Sequence, residues 1–143
     1  MERLLGLDYG SKTIGVAISD RLGMTACGID ILRRDRENVL KPSIRKILEI
    51  IETEEVTKIV LGYPMHVDGT QGIRCEKTLE FKAMLEKKTK VPIVLQDERF
   101  TTVEADQIME EQGIFDYRER KKQVDRIAAA LILQSYMNEH PVA

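Results

Sequence analysis

Three acids occupy places where chemistry could gather. Asp8 ends the apolar run of "LLGLDYGSKTIGVAISD" (residues 4–20). Glu98 stands in "VLQDERF" directly after a second apolar run, and Asp125 stands in "KKQVDRIAAALILQSY". Carboxylates that converge repel one another, and their titrations become coupled. A hard dication removes that penalty. Mg²⁺ takes oxygen ligands and keeps waters and phosphate oxygens in its shell. Two such ions roughly 3.5–4 Å apart can activate a water and stabilise the leaving oxygen of a phosphodiester. Each acid alone also fits an ordinary role. Asp8 beside a glycine fits a turn, Asp125 fits the start of a helix, and Glu98 fits a solvated loop.

Basic residues surround the same places. "YRERKKQVDR" (residues 117–126) sets Arg118, Arg120, Lys121, Lys122 and Arg126 around Asp125. Cations at a helix start oppose its dipole, which is understandable if the segment meets phosphate. A solvated lead-in explains the run equally well. Arg99 follows Glu98, and an arginine fork matches phosphate geometry, although Asp97 is an alternative partner. With Lys12 in the turn after Asp8, the candidate nucleic-acid contacts are Lys12, Arg99, Lys121, Lys122 and Arg126. The loop 64–72, with His66, Asp68, Gly69 and Gly72, is either a substrate clamp or a plain connection.

The elements that must position these groups follow from periodicity. Residues 3–9 and 13–19 read as strands around a tight turn at Gly10, and Ile14, Val16 and Ile18 alternate with small residues. Residues 25–33 read as a third strand. The period then changes: Leu40, Ile44, Ile47, Leu48 and Ile51 mark one helix face, with Pro42 suited to the first turn. Residues 56–63 form a buried strand, 74–88 a helix and 91–96 a strand. Thr101 and Glu104 have capping-box spacing, and Gly113 can stop the helix they begin. A last helix runs over 121–138, with Val124, Ile127, Ala128, Leu131 and Ser135 as its core stripe.

This order is α/β: a five-stranded mixed sheet flanked by helices, with the strands at 56–63 and 91–96 parallel to the first. Ligands in such sheets bind beyond the carboxyl ends of the strands. Asp8, Gly62–Pro64 and the "DER" segment all fall on that edge. The usual strand order would place Asp8 and Glu98 on neighbouring strands.

Composition limits the alternatives. A chain of 143 residues, 43% hydrophobic and 32% charged, suits one soluble domain covering 1–143. It has no apolar run of membrane length, and "MERLLG" lacks a signal-peptide layout, so the expected location is cytoplasmic with no membrane partner. Cys27 and Cys75 form no C-x-x-C pair and read as buried free thiols. A net charge of −2 argues against broad coating of nucleic acid but leaves room for a local basic patch.

The four segments "LGLDYGSKTIGVAISD", "VLGYPMHVDGTQG", "LQDERFTTVEA" and "KKQVDRIAAALILQSY", in this order and spacing, resemble the pre-16S rRNA nuclease family, also called the YqgF or RuvX-type Holliday-junction-resolvase-like family. The resemblance spans nearly the whole chain. It implies a ribonuclease H-like fold and a divalent-metal (Mg²⁺ or Mn²⁺) nuclease site whose acids map onto Asp8, Glu98 and Asp125. It also implies pre-16S rRNA as substrate, with the pre-ribosomal particle as a partner. His66 stands where many relatives carry Asn. The nearest rival is cleavage of four-way DNA junctions, for which a symmetric dimer is expected; the expected state here is a monomer or weak homodimer. An ATP-binding fold of the actin and sugar-kinase type needs a second domain that this chain lacks room for. A non-catalytic nucleic-acid-binding module would tolerate loss of the acids.

Overall fold

The computed structural model describes residues 3–65, 68–98 and 101–141, the first three of the last stretch by backbone only. His66, Arg99 and the capping side chain of Thr101 therefore lie outside the described residues. Strands β1 (Leu4–Tyr9), β2 (Thr13–Ser19) and β3 (Ala26–Arg33) form an antiparallel meander. Helix α1 (Lys41–Thr53) leads to β4 (Lys58–Tyr63), and α2 (Ile73–Glu86) leads to β5 (Ile93–Asp97). Helices α3 (Thr101–Glu111) and α4 (Tyr117–Glu139) complete the chain. The sheet order is β3-β2-β1-β4-β5, with β4 parallel to both β1 and β5. The mixed sheet flanked by helices is thus as the periodicity indicated.

Alternation along the strands splits the core in two. Leu5, Leu7, Ile14, Val16, Ile59 and Leu61 face one side, where α1 and α2 add Ile44, Ile47, Phe81 and Leu85. Leu4, Ala17 and Val60 face the other side and are covered by Ala129, Ile132, Leu133, Tyr136 and Met137 of α4. Residues one apart on a strand point to opposite faces. Asp8 therefore belongs to the α4 side, while Tyr9 joins the α1–α2 side.

Three expectations need correcting. First, α4 begins at Tyr117, not near 121. Asp116 caps it, accepting from the backbone N–H groups of Arg118 (2.9 Å) and Glu119 (3.1 Å). The basic run therefore forms the first turns of the helix and is no lead-in, and Asp125 lies about two turns in, beyond the dipole's reach. Arg120 ties this end to α3, donating to the Ile114 carbonyl (2.8 Å) and facing Asp106 and Glu110. Second, Val124, Ile127, Leu131 and Ser135 are only half-buried; the buried stripe is Ala128, Ala129, Ile132, Leu133, Tyr136 and Met137. The helix is wedged between the sheet and α3, so its apolar surface is wide, and the sheet takes the side carrying the small residues. Third, Cys27 is exposed, because β3 is an edge strand; Cys75 is buried.

Candidate nuclease site

Glycines make the floor of the site. Asp8 pairs with Gly15 of β2, and continuing the β1–β4 register sets Gly62 on its other side. Both neighbours lack a side chain on the face where Asp8 points. A Cβ on Gly15 would collide with the backbone carbonyl of Asp125. A Cβ on Gly62 would stand 2.9 Å from the Glu98 carboxyl carbon and 2.6 Å from Ile132 Cδ1. The two empty positions admit α4 on one flank of Asp8 and the Glu98 side chain on the other.

This corrects the expected adjacency of Asp8 and Glu98. Their strands are not neighbours, since β4 separates β1 from β5. Glu98 reaches Asp8 because it crosses β4 at Gly62. Its backbone N–H donates to the Tyr63 carbonyl (3.3 Å), which anchors it at the end of β4.

Asp8 and Glu98 hydrogen-bond to each other. Desolvation raises both, Asp8 to about 6 and Glu98 to about 9, although each keeps some surface exposure. For Glu98 the nearby Asp8 charge adds to the rise; for Asp8 the Glu98 bond pulls back down and the Asp125 charge pushes up. One proton between the two carboxyls explains the asymmetry: at neutral pH Glu98 holds it and donates to Asp8. Asp125 approaches from α4 and accepts from the Thr13 hydroxyl at 2.5 Å. Thr13 was not singled out from sequence; its place opening the strand opposite Asp8 was the available signal.

Among the described residues, no three of His, Cys, Asp and Glu form a ready-made ion site. The donor chemistry nevertheless fits a hard dication. It is all oxygen, and it includes a desolvated carboxyl pair whose proton a cation would replace.

The basic residues divide. Lys12 is exposed in the turn beside Thr13, at the same edge. Lys121 and Lys122 are exposed on α4 beyond the sheet edge, Lys122 lying 3.7 Å from Glu119. Arg126 is not brought to the carboxylates. Its stem lies over Gly28 of β3, and its guanidinium bonds Gln123.

A stability prediction follows. In metal-free protein, folded Glu98 keeps its proton up to about pH 9, whereas an unfolded glutamate releases it near 4.5. The native state therefore binds more protons in that window, and stability falls as pH rises, by at most about 1.4 kcal/mol per pH unit. Glu98→Gln keeps a hydrogen-bond donor toward Asp8 and removes the titration. In EDTA, its urea midpoint should gain on wild type steadily from pH 5 to pH 8.5. Parallel curves would refute the shared-proton assignment.

Residues 2–139 match the family model "RuvX: Holliday junction resolvase". Two similar relatives carry the name "Putative pre-16S rRNA nuclease". One, from Agathobacter rectalis, is 50% identical and covers 95% of this chain and 94% of its own. The other, from Clostridium acetobutylicum, is 46% identical and covers 95% and 98%. Among solved structures, T. thermophilus RuvC in complex with a Holliday junction substrate aligns with a TM-score of 0.58 at 10% identity, over 99% of this chain and 97% of its own. Fowlpox virus resolvase with Holliday junction DNA aligns at 0.59 and 16% identity, over 98% and 99%. The fold is ribonuclease H-like.

Proposed function

The chain belongs to the RuvX family, and from that membership we propose that it is a metal-dependent nuclease that hydrolyses phosphodiester bonds in the 5′ region of pre-16S rRNA. The observation that carries the chemistry is Glu98 crossing over Gly62 to bond Asp8. A bonded carboxyl pair at the carboxyl edge of a sheet serves no packing purpose. The names of relatives at 46–50% identity favour RNA over junction DNA as substrate.

In this reading Asp8, Glu98 and Asp125 hold Mg²⁺ or Mn²⁺. The ion, when bound, supplies an activated water and charge stabilisation at the leaving oxygen. The chain's own part is positional. Thr13 holds one Asp125 oxygen and so fixes the direction of the other. Glu98 gives up its proton to enter the ligand set. The glycine floor lets α4 and the Glu98 side chain close in on Asp8 from either flank. Lys12, Lys121, Lys122 and Arg99, which is adjacent to Glu98 in sequence, are assigned to phosphates. No helix among the described residues is long and apolar enough to cross a membrane; the substrate places the protein in the cytoplasm.

The test is a parallel cleavage assay. Purified protein meets a pre-16S fragment and a four-way DNA junction, each with Mg²⁺ and with Mn²⁺. Metal-dependent cutting of the RNA, with the junction intact, is expected. Paired cuts in the junction alone would replace the RNA reading with a resolvase. No cleavage of either would favour a binding module.

A further inference from the structure

On the opposite face of β1 from Asp8, two arginines close around Tyr9. The ring of Tyr9 stacks on Phe81, with centroids 4.4 Å apart. The Arg34 guanidinium lies 4.8 Å from the Tyr9 centroid and that of Arg74 lies 5.6 Å from it. Arg34 is 8% exposed, yet no carboxylate contacts it among the described residues. Its Nε donates to the Glu37 carbonyl (3.3 Å) and its Nη2 to the Gly10 carbonyl (2.5 Å), while Nη1 is buried without a partner. Arg74 meets the Glu37 carboxylate through Nη1 alone (2.5 Å), leaving Nη2 buried and unpartnered.

Buried arginine N–H groups without acceptors are rare and costly. Here two occur on neighbouring cations, of which only Arg74 meets a carboxylate among the described residues. Their surroundings add positive potential. Helices α1 and α2 both begin beside this cluster, and neither has a side-chain cap. Leu40, the N-cap residue of α1, lines a cavity of about 290 Å³ with Tyr9, Glu37 and Lys77. Glu80 also lines the cavity and Glu76 lies in the first turn of α2, but the carboxylate that contacts a guanidinium is that of Glu37 on Arg74, so both unpartnered N–H groups still lack an acceptor. Glu37 is the movable part. Its side chain is 30% exposed, it borders the cavity, and it fills only one arm of the Arg74 fork.

We propose that Arg34 and Arg74 form a phosphate subsite, which a backbone phosphate of the nucleic-acid substrate enters by displacing Glu37. A phosphate offers acceptors to both free N–H groups, which one monodentate carboxylate does not. The subsite lies at the same end of β1 as the carboxylates but on the other face of the sheet: Tyr9 follows Asp8, and the Arg74 charge reaches Asp8. It would hold a strand flanking the cut. In the free protein the Glu37 carboxylate screens Arg74. The choice of a nucleic-acid phosphate rests on the nuclease reading; the anion chemistry does not.

The experiment is equilibrium binding of a fluorescein-labelled single-stranded RNA, without divalent metal, across a salt series. Wild type is compared with Arg74→Gln and Glu37→Gln. Arg74→Gln should bind about fivefold to tenfold more weakly, with a salt slope smaller by about 0.7. Glu37→Gln should bind more tightly, by about threefold or more, because the competing carboxylate is gone. If Arg74→Gln does not fold, the sign of the Glu37→Gln effect decides alone. If wild type binds and cleaves the RNA and both variants bind it like wild type, the subsite is overturned and the nuclease reading stands. If wild type binds no RNA, the nuclease reading fails instead. A melting series in inorganic phosphate, against chloride at equal ionic strength, then decides the subsite: stabilisation of wild type but not of Arg74→Gln upholds it as an anion site, and equal shifts overturn it.

Discussion

Gly15→Ala should destabilise the protein by about 3 kcal/mol or more, the largest effect expected of any single methyl group added to this chain. The added Cβ would collide with the Asp125 carbonyl, a backbone atom of α4 that has no rotamer to escape into. Relief requires the helix to lift from the sheet. That helix carries Ala129, Ile132, Leu133, Tyr136 and Met137 into one of the two core clusters, so lifting it opens that whole cluster. Urea unfolding should show a lower midpoint with an unchanged slope. A loss under 1 kcal/mol would mean that α4 does not sit where the structure places it. Gly62→Ala makes an instructive contrast. Its nearest obstacles are the ends of side chains, Ile132 Cδ1 and the Glu98 carboxyl, which can shift by a rotamer where a backbone carbonyl cannot. It should fold with a loss below about 1.5 kcal/mol. Cleavage should nevertheless fall on the order of 100-fold, because Glu98 is pushed off Asp8. The pair of variants separates the helix seat from the ligand seat.

Much of this was legible in the sequence, for reasons that differ by element. The meander and both parallel strands announced themselves through period-two alternation and the runs Ile59–Leu61 and Ile93–Leu95. Pairing order was not legible, because no local pattern says that β4 inserts between β1 and β5. The adjacency of Asp8 and Glu98 was therefore expected for the wrong reason and arises through Gly62, a residue placed on that edge by the sequence but not as the point where Glu98 crosses. The start of α4 was missed because the cations at 118–122 looked incompatible with a helix start; Asp116 as cap and Arg120 bridging to α3 offset that cost. The buried stripe was displaced for a simpler reason. Ile127 and Leu131 are as apolar as Ile132 and Leu133, and only the glycines opposite tell which side the sheet accepts. Arg34 and Arg74 carried no signal at all, since their meeting at Tyr9 joins residues 40 apart in sequence.

Asp8→Asn should reduce metal-dependent cleavage by at least about 10³-fold while leaving the fold and RNA binding in place. Asn has the shape of Asp and can still accept a hydrogen bond from Glu98, so packing beside Gly15 and Gly62 is preserved. It lacks the charge that balances a dication. Removing it also relieves Asp125 of a like charge, while neutral Glu98 keeps an acceptor for its proton, so metal-free stability should hold or rise. The same charge governs how tightly the ion binds. Below about pH 9 a cation must displace the Glu98 proton, and below about pH 6 the Asp8 proton as well. Wild-type Mn²⁺ affinity should therefore climb about tenfold per pH unit between 6 and 9, and more steeply below 6. In Asp8→Asn the climb should end at lower pH, since the Asp8 charge is one cause of the raised Glu98, and the plateau affinity should be weaker. A binding module would show neither behaviour: its RNA affinity would be indifferent to Mn²⁺, and Asp8→Asn would change nothing but stability. A wild-type Mn²⁺ affinity that is flat with pH would remove the metal assignment, because carboxyls that share a proton cannot take up a cation without releasing it.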